Sequence, residues 1–210
     1  MRKGKYYILE GIVGAGKTTQ CNRLIEHLEE KYPGRKIVST REPGGTAISE
    51  EIRTIAQGPE YDDEMNCVCE AYLYASSRAQ SLRQVVEPVL DEGGIVVADR
   101  SFITSLAYQG FSRGMGWERV WEINKAAVNG LLPDKVFFID VPIEIGLARC
   151  FDHNGDKFEG QSRKFFEEAV AGYKLLGKSD LLKDFWVEVD GAGSVDVVFQ
   201  SICDAIASDL

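Results

Sequence analysis

Five short apolar runs punctuate the chain, at residues 6–10, 37–40, 95–99, 136–140 and 186–190, and helical periodicity fills much of what lies between them. Three of the runs are nearly continuous in apolar residues, as strands buried on both faces are. Cys21, Leu24, Ile25 and Leu28 recur at helical spacing, as do Phe165, Phe166, Ala169, Val170 and Tyr173. Ser194 stands where it can cap a last helix whose inner face carries Val197, Val198, Ile202 and Ala205. Strands and helices alternating in this way predict a three-layer α/β/α fold around a five-stranded parallel sheet. No repeat, low-complexity tract or Pro/Gly/Ser linker interrupts the pattern, so residues 1–210 read as one domain.

Composition narrows the class. The 210 residues are 44% hydrophobic and 27% charged, enough apolar material for one real core. Lys and Arg number 24 against 33 Asp and Glu, a net charge of -9, which argues against nucleic acid as a partner. A small phosphate ligand stays possible, because it feels the local field and not the total charge. No apolar run approaches the ~18 residues of a membrane span. The basic residues 1–5 are followed by too short an apolar stretch to read as a signal peptide. Cysteines at 21, 67, 69, 150 and 203 show no C-x-x-C spacing, so reduced thiols and a cytoplasmic location are expected.

The chemistry begins after the first apolar run, with Gly11-Ile12-Val13-Gly14-Ala15-Gly16-Lys17-Thr18. This is the G-x-x-x-x-G-K-[ST] phosphate loop, in its confirming context between a strand and an amphipathic helix. Backbone N–H groups from Gly11, Gly14, Ala15 and Gly16 through Thr19 curl around an anion, helped by the helix N-terminus. Lys17 can reach β- and γ-phosphates, and the Thr18 hydroxyl can ligate Mg²⁺. The run at 95–98 ends in Asp99-Arg100, at the sheet edge where open α/β folds bind ligands. Asp99 reads as a second holder of Mg²⁺, directly or through water, or else as a simple turn residue; Arg100 is placed for a phosphate. Asp140 ends a strand in the same way, but with Pro142 it is equally a helix-start signal.

Other motifs fail on inspection. A guanine reader needs N-K-x-D, and Asn124-Lys125-Ala126-Ala127 lacks the aspartate. Residues 152–156 faintly resemble a calcium loop, but Lys157 and Arg163 stand where glycine and glutamate are required. His27 and His153 have no acid at a useful spacing and read as solvated surface.

Downstream of the second run stands Thr40-Arg41-Glu42-Pro43-Gly44-Gly45-Thr46. With the phosphate loop and Ser105-Leu106-Ala107-Tyr108-Gln109-Gly110, it strongly resembles the thymidylate kinase family, over nearly the whole chain. The resemblance implies transfer of the γ-phosphoryl of ATP, bound with Mg²⁺, to dTMP. It implies that Glu42-Pro43 lies beside the acceptor base with a cis bond, that Tyr74 stacks on thymine and that Arg78 meets its edge. Tyr74 and Arg78 are four apart and share a helix face; the bland alternative is a core tyrosine and a surface arginine. Arg100 matches the arginine on the acceptor phosphate, and Ser105 and Tyr108 match positions lining thymine and deoxyribose, with Gln109 just beyond. Residues 149–160 resemble the family's lid, in which Arg149 packs against the donor adenine and Lys157 supplies a cation. A homodimer is implied as well.

Three departures bear on mechanism. Val13 stands where the family usually carries a carboxylate that reads the deoxyribose 3′-hydroxyl, with Glu10 the substitute reader. Ser101 replaces a tyrosine or histidine, and Lys157 replaces the lid arginine, so a planar cation at the transferring phosphoryl must come from Arg149, Arg163 or Arg41, or be absent. These departures keep open a nucleotide-binding protein with little turnover, and a kinase for another pyrimidine nucleotide is a second alternative to a dTMP kinase.

Overall fold

The computed structural model describes residues 3–58, 64–150, 161–207 and 209. Strands β1 (Lys5–Glu10), β2 (Ile37–Arg41), β3 (Ile95–Asp99), β4 (Lys135–Asp140) and β5 (Trp186–Asp190) form one sheet. The order is β2-β3-β1-β4-β5, with every pairing parallel. The near-continuous apolar runs are the three central strands β3, β1 and β4, and the edge strands β2 and β5 carry the more polar sequences. Helices cover both faces: α1 (Lys17–Lys31), α2 (Ala47–Gln57), α3 (Cys67–Ser81), α4 (Glu87–Asp91), α5 (Phe102–Ser105), α6 (Trp117–Val128), α7 (Ile143–Cys150), α8 (Arg163–Leu176) and α9 (Val195–Ile206). Two wider π-helical segments, Leu82–Val86 and Leu106–Ser112, extend α3 and α5.

Side chains alternate across the sheet as the pleat requires. Tyr6, Ile8, Val96 and Ala98 pack with Leu82, Val86, Val89 and Leu90. Their neighbours Tyr7, Leu9, Ile95 and Val97 join a larger cluster that includes Leu24 and Leu28 of α1 and Val198 and Ile202 of α9. Leu24 and Leu28 are fully buried, and each such side chain contributes about 1.5–3 kcal/mol. Ser194 caps α9 by accepting from the Val197 N–H at 3.4 Å. The expected inner face holds at Val198 and Ile202, with Ala205 packed against the core, and is corrected at Val197. Val198, Ile202 and Ile206 are buried at i, i+4 and i+8, whereas Val197, one residue round the helix, is exposed.

The register brings the ligand edge into line. Asp99 pairs with Leu9 on one side and Arg41 on the other, so β1, β2 and β3 end level. The phosphate loop, Glu42 and Arg100 therefore emerge side by side at the carboxyl edge. No helix of the described residues is long and apolar enough to cross a membrane.

Candidate active site

Between β1 and α1 the chain makes a tight loop that only glycine allows. Gly14 has φ +69, and a Cβ there would stand 1.9 Å from the carbonyl oxygen of Gly146 in α7. The loop is thus packed on the helix that carries Arg149, whose Nη1 donates to Gly14 O at 3.3 Å. Gly16, at φ 89, caps α1 with no side chain. Lys17 opens the helix and turns back, its Nζ donating to Ile12 O at 2.8 Å. Burial, with Arg100 nearby, lowers the Lys17 pKa to about 8. The next residue, Thr18, donates its hydroxyl to Asp99 Oδ2 at 2.5 Å. Thr19 is exposed, and Ala15 is buried.

These groups border an open cavity of about 480 Å³, with Lys17, Thr18, Asp99 and Arg100 on one side and Arg41, Glu42 and Arg53 on the other. Arg41 pairs with Glu50 at 2.8 Å. Arg53 donates to Pro43 O at 3.0 Å. Arg163, the third candidate for a planar cation, is paired with Glu144 at 2.5 Å and Glu167 at 2.8 Å. Lys157 lies outside the described residues, as do residues 151–160 of the expected lid; Arg149 occupies the last turn of α7.

Arg100 is the hinge between this cavity and a second one. Its φ of 75 is left-handed, a conformation that L side chains rarely adopt. The guanidinium donates to Gly11 O at 3.1 Å and Thr104 Oγ1 at 3.2 Å, and lies 5.4 Å from the Tyr108 ring centroid. Burial opposes its charge, but Tyr108, Tyr173, Asp99 and Glu10 around it hold its pKa above the ordinary arginine value.

The second cavity is narrow and is lined by Glu42, Pro43, Tyr74, Arg78, Arg100, Ser105, Tyr108 and Gln109 together with Val13, Gln57, Ser101 and Thr104. The Glu42-Pro43 bond is cis, as the resemblance implies. Tyr74 and Arg78 share the inward face of α3 and are both buried. Far from being a surface residue, Arg78 is 2% exposed and held on three sides. Its Nε donates to Glu42 Oε2 at 2.6 Å and its Nη2 to Ser105 Oγ at 3.3 Å. Its Nη1 donates to Asn124 Oδ1, whose amide is fixed by donating in turn to Val120 O at 2.8 Å. Three of the five guanidinium N–H groups are thereby taken, leaving one on each terminal nitrogen. Burial lifts the Glu42 carboxyl above its usual pKa, while Arg78 beside it pulls the other way.

Glu10, expected among the substrate-binding residues, lines neither cavity. It is fully buried, and its carboxylate accepts from the Ser101 and Thr104 N–H groups at 2.8 and 3.2 Å and from the Ser101, Thr104 and Tyr173 hydroxyls at 3.0, 2.6 and 3.1 Å. Burial raises its pKa against the pull of Arg100 and those hydroxyls. Its work is to pin the start of α5, which carries Ser105. Ser101 caps that helix by accepting from the Ile103 N–H, a task its tyrosine or histidine counterpart could not perform.

Sequence reasoning missed Gln57, Glu70, Thr104 and Asn124. Gln57 donates to Tyr74 OH at 3.0 Å, and its own Oε1 is buried with no hydrogen-bond partner among the described residues. Arg53, another omission, sits three residues after Glu50 on α2 and could have been found as a second cation one turn beyond the Arg41 partner.

A glycine loop on a helix N-terminus, a buried lysine and an adjacent threonine–aspartate pair, set at the carboxyl edge of a parallel sheet, define the phosphate-loop class of α/β nucleotide enzymes. Comparison with known proteins narrows this. The profile of the family described as thymidylate kinase matches residues 9–202, so the chain belongs to the thymidylate kinase family. The thymidylate kinase of Leuconostoc mesenteroides is 47% identical over 179 residues, covering 84% of this chain and 83% of that protein. The thymidylate kinase of Thermosipho africanus is 39% identical over 199 residues, 94% of each chain. The crystal structure of thymidylate kinase from Ehrlichia chaffeensis shares the fold, with a TM-score of 0.77 and 24% identity over 97% of this chain and 98% of that one. The activity is phosphorylation of dTMP to dTDP, with ATP the donor that the family implies.

Proposed function

We propose that the open cavity takes ATP with Mg²⁺ and the narrow one takes dTMP, and that the phosphoryl group crosses where Val13, Glu42 and Arg100 border both. The observation that carries this reading is the adjoining pair of cavities, one rich in cations beside the phosphate loop and one enclosed by buried hydrogen-bonded side chains.

In the donor cavity Lys17 exchanges its bond to Ile12 O for the β/γ-phosphate oxygens, and Arg149 lies against the adenine side of the loop. Thr18 and Asp99, two adjacent hard oxygen ligands, suit Mg²⁺, and the remaining positions fall to substrate phosphates and water. Bound there, the ion would neutralise phosphate charge and orient the transferring group. In the acceptor cavity Tyr74 stacks on the base, Arg78 and Gln109 meet its edge, and Ser105 and Tyr108 border the sugar. Arg100 fixes the 5′-phosphate, with Arg41 as a second cation. No general base is needed, since the acceptor phosphate is already ionised at neutral pH. In-line positioning and neutralised charge supply most of the rate.

We read residues 1–210 as one working domain, cytoplasmic and homodimeric. Ile48 and Ile55, two turns apart on α2, and Tyr72 on α3 stand exposed on the layer behind the acceptor cavity, a surface suited to a second copy. The test is an assay of ADP release with ATP·Mg²⁺ and dTMP, dUMP, dCMP, dGMP or AMP offered separately. Turnover greatest with dTMP supports the assignment of the cavities, and equal turnover with all five overturns it.

A further inference from the structure

The amide of Gln109 is oriented from behind. Its Nε2 donates to Glu70 Oε1 at 2.6 Å in the interior. Glu70, in the first turn of α3, is 1% exposed, and its Oε2 lies 3.5 Å from Arg113 Nη2. A carboxylate offers only acceptors, so it admits one orientation of the Gln109 amide; turned over, the amide oxygen would face a carboxylate oxygen in a low-dielectric interior. Gln109 lines the acceptor cavity and Glu70 does not. Glu70 takes one of the two amide N–H groups, and the carbonyl oxygen, the acceptor that the amide offers a ligand, is turned away from Glu70. Arg78, three of whose N–H groups are committed to Glu42, Asn124 and Ser105, offers the same cavity only donors.

A wall with donors at one point and an acceptor at another discriminates between pyrimidines. Thymine and uracil present a 4-keto acceptor beside an N3–H donor, whereas cytosine presents a 4-amino donor beside an N3 acceptor. We propose that Glu70, which does not reach the substrate, is a positioning residue that sets base choice. By holding the Gln109 amide in one sense, it makes the cavity accept 4-keto, N3–H pyrimidines and reject 4-amino ones. The inference rests on the reading above, in which the base lies against Arg78 and Gln109.

The experiment compares kcat/KM for dTMP, dUMP and dCMP in the wild type and in Glu70→Gln, Glu70→Asp and Gln109→Met. Glu70→Gln lets the amide turn over at no electrostatic cost, so the dTMP:dCMP preference should fall about tenfold or more. The dTMP:dUMP preference should hold, because both bases share the same edge, and Glu70→Asp, still an anion, should keep most of the preference over dCMP. An unchanged dTMP:dCMP ratio in Glu70→Gln overturns the proposal, and so does a parallel fall in both ratios, which would mean general loosening. Gln109→Met separates the two levels: if it leaves the dTMP:dCMP ratio unchanged, the placement of Gln109 against the base is what fails. A measurement on the wild type alone also decides. The Gln109 side-chain NH₂, assigned in nitrogen-15 spectra by its loss in Gln109→Met, should resist hydrogen exchange before dTMP is added. Protection arising only on dTMP binding would put the NH₂ against the ligand and overturn the proposal.

Discussion

The two cavities meet at Val13, Glu42 and Arg100, yet they are built in opposite ways. The donor side is open, about 480 Å³, and made from a backbone loop with charged side chains at its mouth. The acceptor side is narrow and more enclosed, and Tyr74, Arg78, Ser105, Tyr108 and Gln109 are each no more than 6% exposed. The difference follows from what each ligand brings. A polyphosphate carries its own charge and metal, so a few cations and N–H groups at an open mouth suffice. A neutral base carries no charge, and its recognition depends on hydrogen bonds set in advance and kept from water.

The largest expected effect breaks the donor side. Lys17→Met should lower kcat by ~10²–10³, the usual loss when one electrostatic contact to a transferring group is removed. Because Lys17 is a buried charge, thermal unfolding should show the variant at least as stable as the parent, in contrast to its activity. A clear fall in unfolding temperature would mean that the lysine also supports the loop.

Next in size is a break on the acceptor side. Asn124→Leu removes one anchor of the Arg78 guanidinium without touching either cavity. A buried hydrogen bond to a charged group is worth about 1.5–3 kcal/mol, so KM for dTMP should rise roughly 10- to 100-fold. KM for ATP should stay within about twofold if the two sites are wired separately. Equal rises in both constants would show the networks to be one.

Val13 probes the boundary. With no carboxylate in the loop, 3′-deoxy dTMP should be accepted almost as well as dTMP. Val13→Asp should restore a preference of about tenfold for the 3′-hydroxyl, read as a ratio of kcat/KM. Rejection of the deoxy analogue by the parent would assign that reading to another residue, and Glu10 is no candidate while its oxygens are occupied by five donors.

The smallest effect is in pH. Lys17 titrates near 8 when free, and a bound phosphate favours its protonated form. Nucleotide affinity should therefore be full below that value and weaken about threefold between about pH 7.5 and 8.5. The stability contribution runs the other way. The folded pKa lies below the unfolded value of 10.5, so stability gains as pH rises from about 8 toward 10.5. Calorimetric titration of the parent beside Lys17→Met, which should lose this dependence, separates the lysine from the phosphates.

The donor side was nearly all legible in the sequence, because its parts are contiguous: a loop, the helix it starts, and an acid ending a buried strand. The acceptor side was legible only through resemblance. Gln57, Glu70, Asn124 and Thr104 come from α2, α3, α6 and α5, and single amides or hydroxyls on separate helices leave no local pattern to read. Glu10 could have been placed by parity. It follows Tyr6 and Ile8 on one face of β1, the face turned away from α1, so its carboxylate points into the interior although it ends the strand. Of the two adjacent valines placed on the inner face of α9, only Val198 is buried. In a short helix two adjacent valines fit the apolar stripe about equally well until the packing against the sheet chooses one.

Val13 lines both cavities, so with the two substrates placed as proposed, its side chain stands where any coupling between their binding equilibria would pass. Any change at that side chain that alters how strongly bound ATP favours dTMP must alter by the same factor how strongly bound dTMP favours ATP. Substrate synergy is therefore one quantity here, measurable from either side. An apolar valine at that position can act on such coupling only through contact, where a carboxylate would add charge to it.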